Sequence, residues 1–245
     1  MPDQSARRKY LRILVAACVP VFAWAAVQPV DRGTWALENG IVAVGIALLF
    51  GMRKRLPFSL VSYTLIAVYL CLHQVGAHYT YAQVPYDEWT RSLLGFSLDE
   101  TLGFERNQYD RLVHFSYGLL LAYPLREIVL RVADMKGFWG YFLPLDVTMS
   151  TSMLYELLEW AAAMVFGKGM EVAYLGTQGD PWDAHKDMLL ASIGAVISMS
   201  VTAFINWRLQ KDFAREWNAS LLVRHPRPAG EEAIARMARK KRKLG

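Results

Sequence analysis

Six mostly apolar runs, at 11–27, 37–52, 57–76, 112–132, 145–166 and 188–209, divide this chain. Each is close to the roughly 17–25 residues that an α-helix needs to cross a hydrocarbon core. A spanning segment must satisfy its backbone hydrogen bonds internally, because lipid offers no water to do so. A soluble helix would carry polar residues at helical period on its outer face, whereas the midsections here are apolar all round. The expected fold class is therefore all-α, a polytopic membrane helix bundle of about six transmembrane helices. The run at 37–52 is the weakest member, being short and containing Glu38.

Hydrophobic residues make up 54 % of the chain, and neither an internal repeat nor a soluble domain is visible. Arg7, Arg8 and Lys9 precede the first run as they would in a signal peptide. No small-x-small cleavage site with a polar mature domain follows, so an uncleaved first helix is expected. Cys18 and Cys71 lie inside apolar runs without metal or disulfide spacing and are expected to pack as inert residues.

Six spans leave both termini on one side. Placing them in the cytoplasm puts 21 of the 27 Lys and Arg inside, leaving Arg32, Arg91, Arg106, Arg111, Lys168 and Lys186 outside. That is the positive-inside distribution. The expected organisation is a six-helix membrane domain over 1–210, with an outer interfacial segment at 79–108, and a basic cytoplasmic tail over 211–245. The tail ends in Arg236, Arg239, Lys240, Lys241, Arg242 and Lys243, beyond Pro226 and Pro228. Its expected partners are membrane lipids with anionic headgroups, in preference to nucleic acid; protein partners are not indicated. A short surface helix over 233–244 fits this role. In the outer segment, Trp89, Leu93, Leu94 and Phe96 suggest a short interfacial helix, followed by a capping-box-like start from Ser97 to Glu100. That helix would serve as an aromatic anchor or as a lid.

A charge at the bilayer centre costs roughly 2.5–3.5 kcal/mol on insertion scales. Ten ionisable residues nevertheless lie in or beside the apolar runs: His73, His78, Asp110, His114, Glu156, Glu159, Asp180, Asp183, His185 and Asp187. The topology puts all ten on the outer side, although only Lys and Arg were used to orient the chain. Asp110 and His114 are four apart and Glu156 and Glu159 three apart, so each pair shares a helix face. Neighbouring carboxylates repel when both ionise; they need a proton, a cation, an arginine or water. Arg111 is a candidate counter-ion but does not balance the set alone.

Each member also has a plainer explanation. Asp110, Asp183 and Asp187 complement helix N-termini. A single His114 serves as an interhelical hydrogen-bond partner, His73 and His78 are five apart and off one face, and His185 is solvated. His78 and His185 are peripheral. The core of the candidate site is Asp110, His114, Glu156, Glu159 and Asp183, with Asp180, Asp187 and His73 as second choices. Glu127, beside Arg126, and Asp146 fall near the inner boundary and outside the cluster.

Three segments carry a family resemblance: Tyr-Asp-Arg-Leu-Val-His-Phe (109–115), Tyr-Glu-Leu-Leu-Glu-Trp (155–160) and Gly-Thr-Gln-Gly-Asp-Pro-Trp-Asp-Ala-His-Lys-Asp-Met (176–188). Together they resemble the bacterial inner-membrane proteins of the YjdF type, a family without an assigned function, across essentially the full membrane region. That resemblance implies a multi-pass protein of the bacterial inner membrane. More distantly the chain is similar to VanZ-like membrane proteins. Asp110, Arg111, His114 and Phe115 match their acidic-basic-x-x-His-Phe start, Glu156 matches their Glu-x-x-Gln, and Asp183 matches their Asp-x-x-x-Asn. Glu159 and Asp187 replace the Gln and the Asn, which makes this site more acidic. The VanZ-like resemblance implies a cell-envelope context, including glycopeptide resistance in some members.

Three functions compete. The first is a metal-dependent enzyme acting on a lipid or envelope headgroup, with a divalent metal ion held by carboxylates and His and a bound water as nucleophile. A metal-free variant uses His114 as general base. The second is a proton-coupled transporter, since intramembrane carboxylates and histidines relay protons. The third is a structural or partner-stabilising membrane protein whose polar cluster joins helices.

Overall fold

The computed structural model describes residues 4–166, 177–223 and 230–244, and every regular element among them is helical. Lys168, Gly176, Arg224, Pro226, Arg227 and Pro228 lie outside the described residues. Six long helices cover the six apolar runs: α1 (Gln4–Ala26), α2 (Arg32–Met52), α3 (Leu60–His78), α6 (Tyr109–Val132), α7 (Trp139–Phe166) and α8 (Asp183–Leu209). Two short helices, α4 (Tyr86–Leu94) and α5 (Leu98–Leu102), fill the segment before α6. Another two, α9 (Phe213–Ser220) and α10 (Glu231–Leu244), follow α8.

Among the described helices, α1, α2, α3 and α8 are long and apolar enough to cross a membrane by length and composition. The helices α6 and α7 are 24 and 28 residues long, and their polar residues explain why they stand apart. Asp110, Arg111, His114, Arg126 and Glu127 lie in the one and Asp146, Glu156 and Glu159 in the other.

Local chemistry sets the helix ends. The Asp31 carboxylate accepts from the Thr34 amide at 2.6 Å and starts α2 well before the apolar run, so α2 reaches 21 residues. Ser59 Oγ caps α3 through the Ser62 amide, and Ser97 Oγ caps α5 through the Glu100 amide at 3.0 Å, as its sequence signature suggests. Gly95 and Gly103 end α4 and α5 in the left-handed region (φ 79° and 68°). The Asp87 carboxylate then joins the two short helices, accepting from Ser97 Oγ and the Asp99 amide.

The bundle is built on α6 and α8, with α3 and α7 against α6 and α1 against α3. Lipid tails give apolar helices no reason to associate, so small residues that admit close backbone approach must do so. Gly118 and Gly194 supply this: a Cβ on Gly118 would overlap the Ala191 carbonyl, and one on Gly194 would overlap the Phe115 carbonyl. By contrast, α1 buries only Ala25 fully, so most of its side chains face outward. At the far end, the Ser59 amide is held by Glu127 (2.9 Å), which also lies 4.0 Å from Arg131; Arg126 instead stacks on Tyr141 (4.4 Å). The helix α9, for which the sequence reading had no place, packs Phe213 and Trp217 on Tyr141 at this end.

Cys18 and Cys71 are both free thiols, and α1 and α3 bring their Sγ atoms to 3.7 Å, a contact that their sequence spacing does not announce.

Candidate functional site

The α6–α8 contact aligns the two helices turn by turn. His114 lies one turn before Gly118 and Asp187 one turn before Ala191, so the close approach at Gly118 continues into a meeting of His114 and Asp187. One ligand atom from each of Asp110, His114 and Asp187 falls within 4.8 Å of the others. Asp110 Oδ1 lies 3.5 Å and Glu156 Oε1 3.6 Å from His114 Nε2. Asp187 is 2 % exposed, and its Oδ1, like Glu156 Oε1, is buried without a hydrogen-bond partner. Unpaired buried carboxylate oxygens are costly unless something meets them.

A second layer lies toward the chain preceding α6 and α8. Arg106 grips Asp183 with both guanidinium nitrogens (2.5 and 3.3 Å) and reaches the Thr177 carbonyl. Arg111 binds Asp180 at 2.7 Å and lies 3.6 Å from Asp183; Lys186 binds Asp180 at 2.5 Å. Chiefly the Lys186 ammonium, then the Trp182 amide, holds the Asp180 carboxyl below its ordinary value. This lattice uses the available cations on Asp180 and Asp183, and leaves Asp110, Asp187 and Glu156 gathered around His114.

The five expected core residues are thus divided. Asp110, His114 and Glu156 come together, Asp187 joins them from the second rank, and Asp183 belongs to the arginine layer. Glu159 lies in electrostatic reach of Glu38, Glu156 and Asp110, with the Tyr155 hydroxyl beside it. Glu38, 2 % exposed, accepts from the Tyr155 hydroxyl at 2.8 Å. It was visible in the sequence only as a blemish in an apolar run, although the rule applied to Glu156 applies equally to it. Arg106 was counted for topology and not for the site, because a loop position carries no facial information.

The histidines separate too. Left-handed backbone at Thr80 and Tyr81 (φ 52° and 55°) folds the Tyr81 ring back over Gly76, and its hydroxyl meets His73 Nδ1 at 2.7 Å. His78 joins α3 to α1, through the Ala25 carbonyl at 3.1 Å and by stacking on Trp24. His185 is exposed beside Trp182.

From the Asp110–His114 end, a cavity of about 490 Å³ runs between α2, α3, α6 and α7. It is lined by Tyr69, Tyr81, Tyr117 and Tyr155 near the polar end and by Leu49, Phe58, Leu125 and Ile128 at the other. This volume is in the range of small-molecule sites, roughly 300–1,000 Å³.

A family described as predicted membrane protein (DUF2238) matches residues 10–208. Inner membrane protein YjdF of Escherichia coli (strain K12) is 36 % identical over 194 residues, covering 79 % of this chain and 88 % of that protein. No solved structure matches the chain.

Proposed function

The chain belongs to the DUF2238 family of predicted membrane proteins, and on that footing we propose that it is a metal-dependent enzyme of the bacterial inner membrane acting on a lipid or envelope headgroup. In this reading six helices span the bilayer, both termini are cytoplasmic, and the site faces outward. The distribution of 21 Lys and Arg inside against 6 outside supports the orientation, and the relative's name supports the inner membrane.

One observation carries the metal: Asp187 Oδ1 and Glu156 Oε1 are buried without hydrogen-bond partners beside His114. Carboxylate oxygens with one imidazole nitrogen suit Zn, Mn, Fe or Mg. Asp110, His114 and Asp187 would hold the ion, with Glu156 against His114. The ion would polarise a bound water, and the neighbouring carboxylates would take its proton. A carrier is less well supported, because the cluster lies at one end of the bundle and not at its middle.

The tail completes the reading. On α10, Arg236, Arg239 and Lys240 accompany exposed Ile234 and Met237, a composition that suits anionic headgroups at the inner surface.

Metal analysis of the detergent-purified protein tests the site. About one equivalent of divalent metal is expected in the wild type, lost in His114→Ala and Asp187→Asn and retained in Glu159→Gln. Wild-type protein that retains no stoichiometric metal after equilibration with these ions would sink the metal reading.

A further inference from the structure

We propose that the cavity between α2, α3, α6 and α7 holds the single long chain of a polyprenyl phosphate, with its phosphate at the Asp110–His114 end. The inference rests on the headgroup reading above and adds the substrate class.

Length is the first argument. On α6, Asp110, Val113, Tyr117, Leu121, Leu125 and Ile128 all line the cavity. These residues form one helical stripe that rises about 27 Å. A hydrocarbon core is about 30 Å thick, so the stripe runs nearly the whole way across. An acyl chain of a phospholipid ends at the bilayer middle and would fill about half of it. The far end is truly the opposite end of the bundle, since the cavity reaches Phe58, next to Ser59, whose amide Glu127 holds.

Access is the second. Ile41 and Ile46 of α2 and Leu154 and Leu158 of α7 line the cavity while remaining 45 %, 42 %, 52 % and 49 % exposed. The groove therefore opens sideways between α2 and α7, into the bilayer, where a lipid chain enters without crossing water. The Tyr155–Glu38 hydrogen bond joins these two helices at the polar end and leaves the apolar length of the gap unbridged by any other side-chain hydrogen bond among the described residues.

Charge is the third. Asp110 and His114, two of the three residues that would hold the cation, line the polar end of the cavity. With the cation in place, this end is suited to a phosphate, whose oxygens a divalent metal binds.

Gly45 provides the test. It lines the groove, and a Cβ there would meet nothing within 4 Å, as is also true of Gly51, which does not line it. A polyprenyl phosphate with a photoactivatable group at the far end of its chain is presented to the purified protein in nanodiscs, beside a phosphatidic acid labelled at its acyl terminus. The polyprenyl probe is expected to label α6 around Leu125 and Ile128. Labelling should fall at least tenfold in Gly45→Phe and persist in Gly51→Phe. Equal labelling of these residues by phosphatidic acid, or undiminished labelling in Gly45→Phe, overturns the proposal. Metal content is measured on the same samples. Metal without polyprenyl labelling removes the groove assignment and leaves the metal site standing. Specific labelling in metal-free protein supports the groove and removes the metal reading.

Discussion

Gly118 of α6 and Ala191 of α8 meet backbone to backbone, with no room between them for a methyl group. This contact sets the distance at which His114 and Asp187 face each other one turn away. Gly118→Ala is therefore expected to force the helices apart, destabilising the protein by about 1–3 kcal/mol and weakening metal retention. Gly45→Ala, in open space on α2, should be neutral or stabilising by up to about 1 kcal/mol. Thermal unfolding in detergent compares the two, and equal effects would show that the α6–α8 approach is not the determinant.

Removal of the metal should be visible in stability. A ligand that binds only the folded state at a hundred times its Kd adds about 2.7 kcal/mol. Chelation is expected to lower the unfolding temperature of the wild type and to leave Asp187→Asn unchanged. A chelator shift of the same size in both proteins would place the metal elsewhere.

Arg106 and Asp183 form the most enclosed ion pair of the site, at 13 % and 3 % side-chain exposure. Breaking a buried pair from one side leaves an uncompensated charge and costs about 3–5 kcal/mol. Arg111 remains 3.6 Å from Asp183, so Arg106→Ala should destabilise by no more than the lower end of that range, and adding Asp183→Asn should recover much of the loss. Additive losses in the double variant would mean that the two side chains do not act as a pair.

The α4–α5 unit carries a pH signature. The Asp99 amide first, with the Arg91 guanidinium and the Ser97 hydroxyl, lowers the Asp87 carboxyl to about 2 from an ordinary 3.8. A folded value below the unfolded one means that the unfolded segment binds more protons in this window. The stabilisation is present above about pH 4 and is lost as pH falls toward 2. Amide protection over residues 86–102, taken relative to the intrinsic exchange rate at each pH, should fall across that interval, and Asp87→Asn should abolish the dependence.

Cys18 and Cys71 offer a check on how α1 packs. Their sulfurs need move only from 3.7 Å to about 2.05 Å to bond. Mild oxidation should form an intramolecular disulfide, detected as protection of both thiols from alkylation. Two freely alkylated thiols after oxidation would contradict the α1–α3 packing.

The sequence made the long helices legible because a membrane admits few alternatives: the six runs lie within α1, α2, α3, α6, α7 and α8 apart from a few residues at their ends. Helical spacing paired Asp110 with His114. Residues three apart on a helix still differ by about 60°, so Glu156 meets His114 at 3.6 Å while Glu159 lies in reach of Glu38, Glu156 and Asp110. Sequence distance is silent on partners from other helices. That is why Glu38, Arg106 and the Cys18–Cys71 contact went unread, and why Asp187 ranked behind Asp183.

The helices that carry most of the site, α6 and α7, are also the ones whose composition falls short of independent spans. By length and composition α1, α2, α3 and α8 are spans in their own right. Asp187 and Gly194 both belong to α8, so a chain that stopped short of it would lose one corner of the Asp110–His114–Asp187 cluster together with the close contact that sets its spacing.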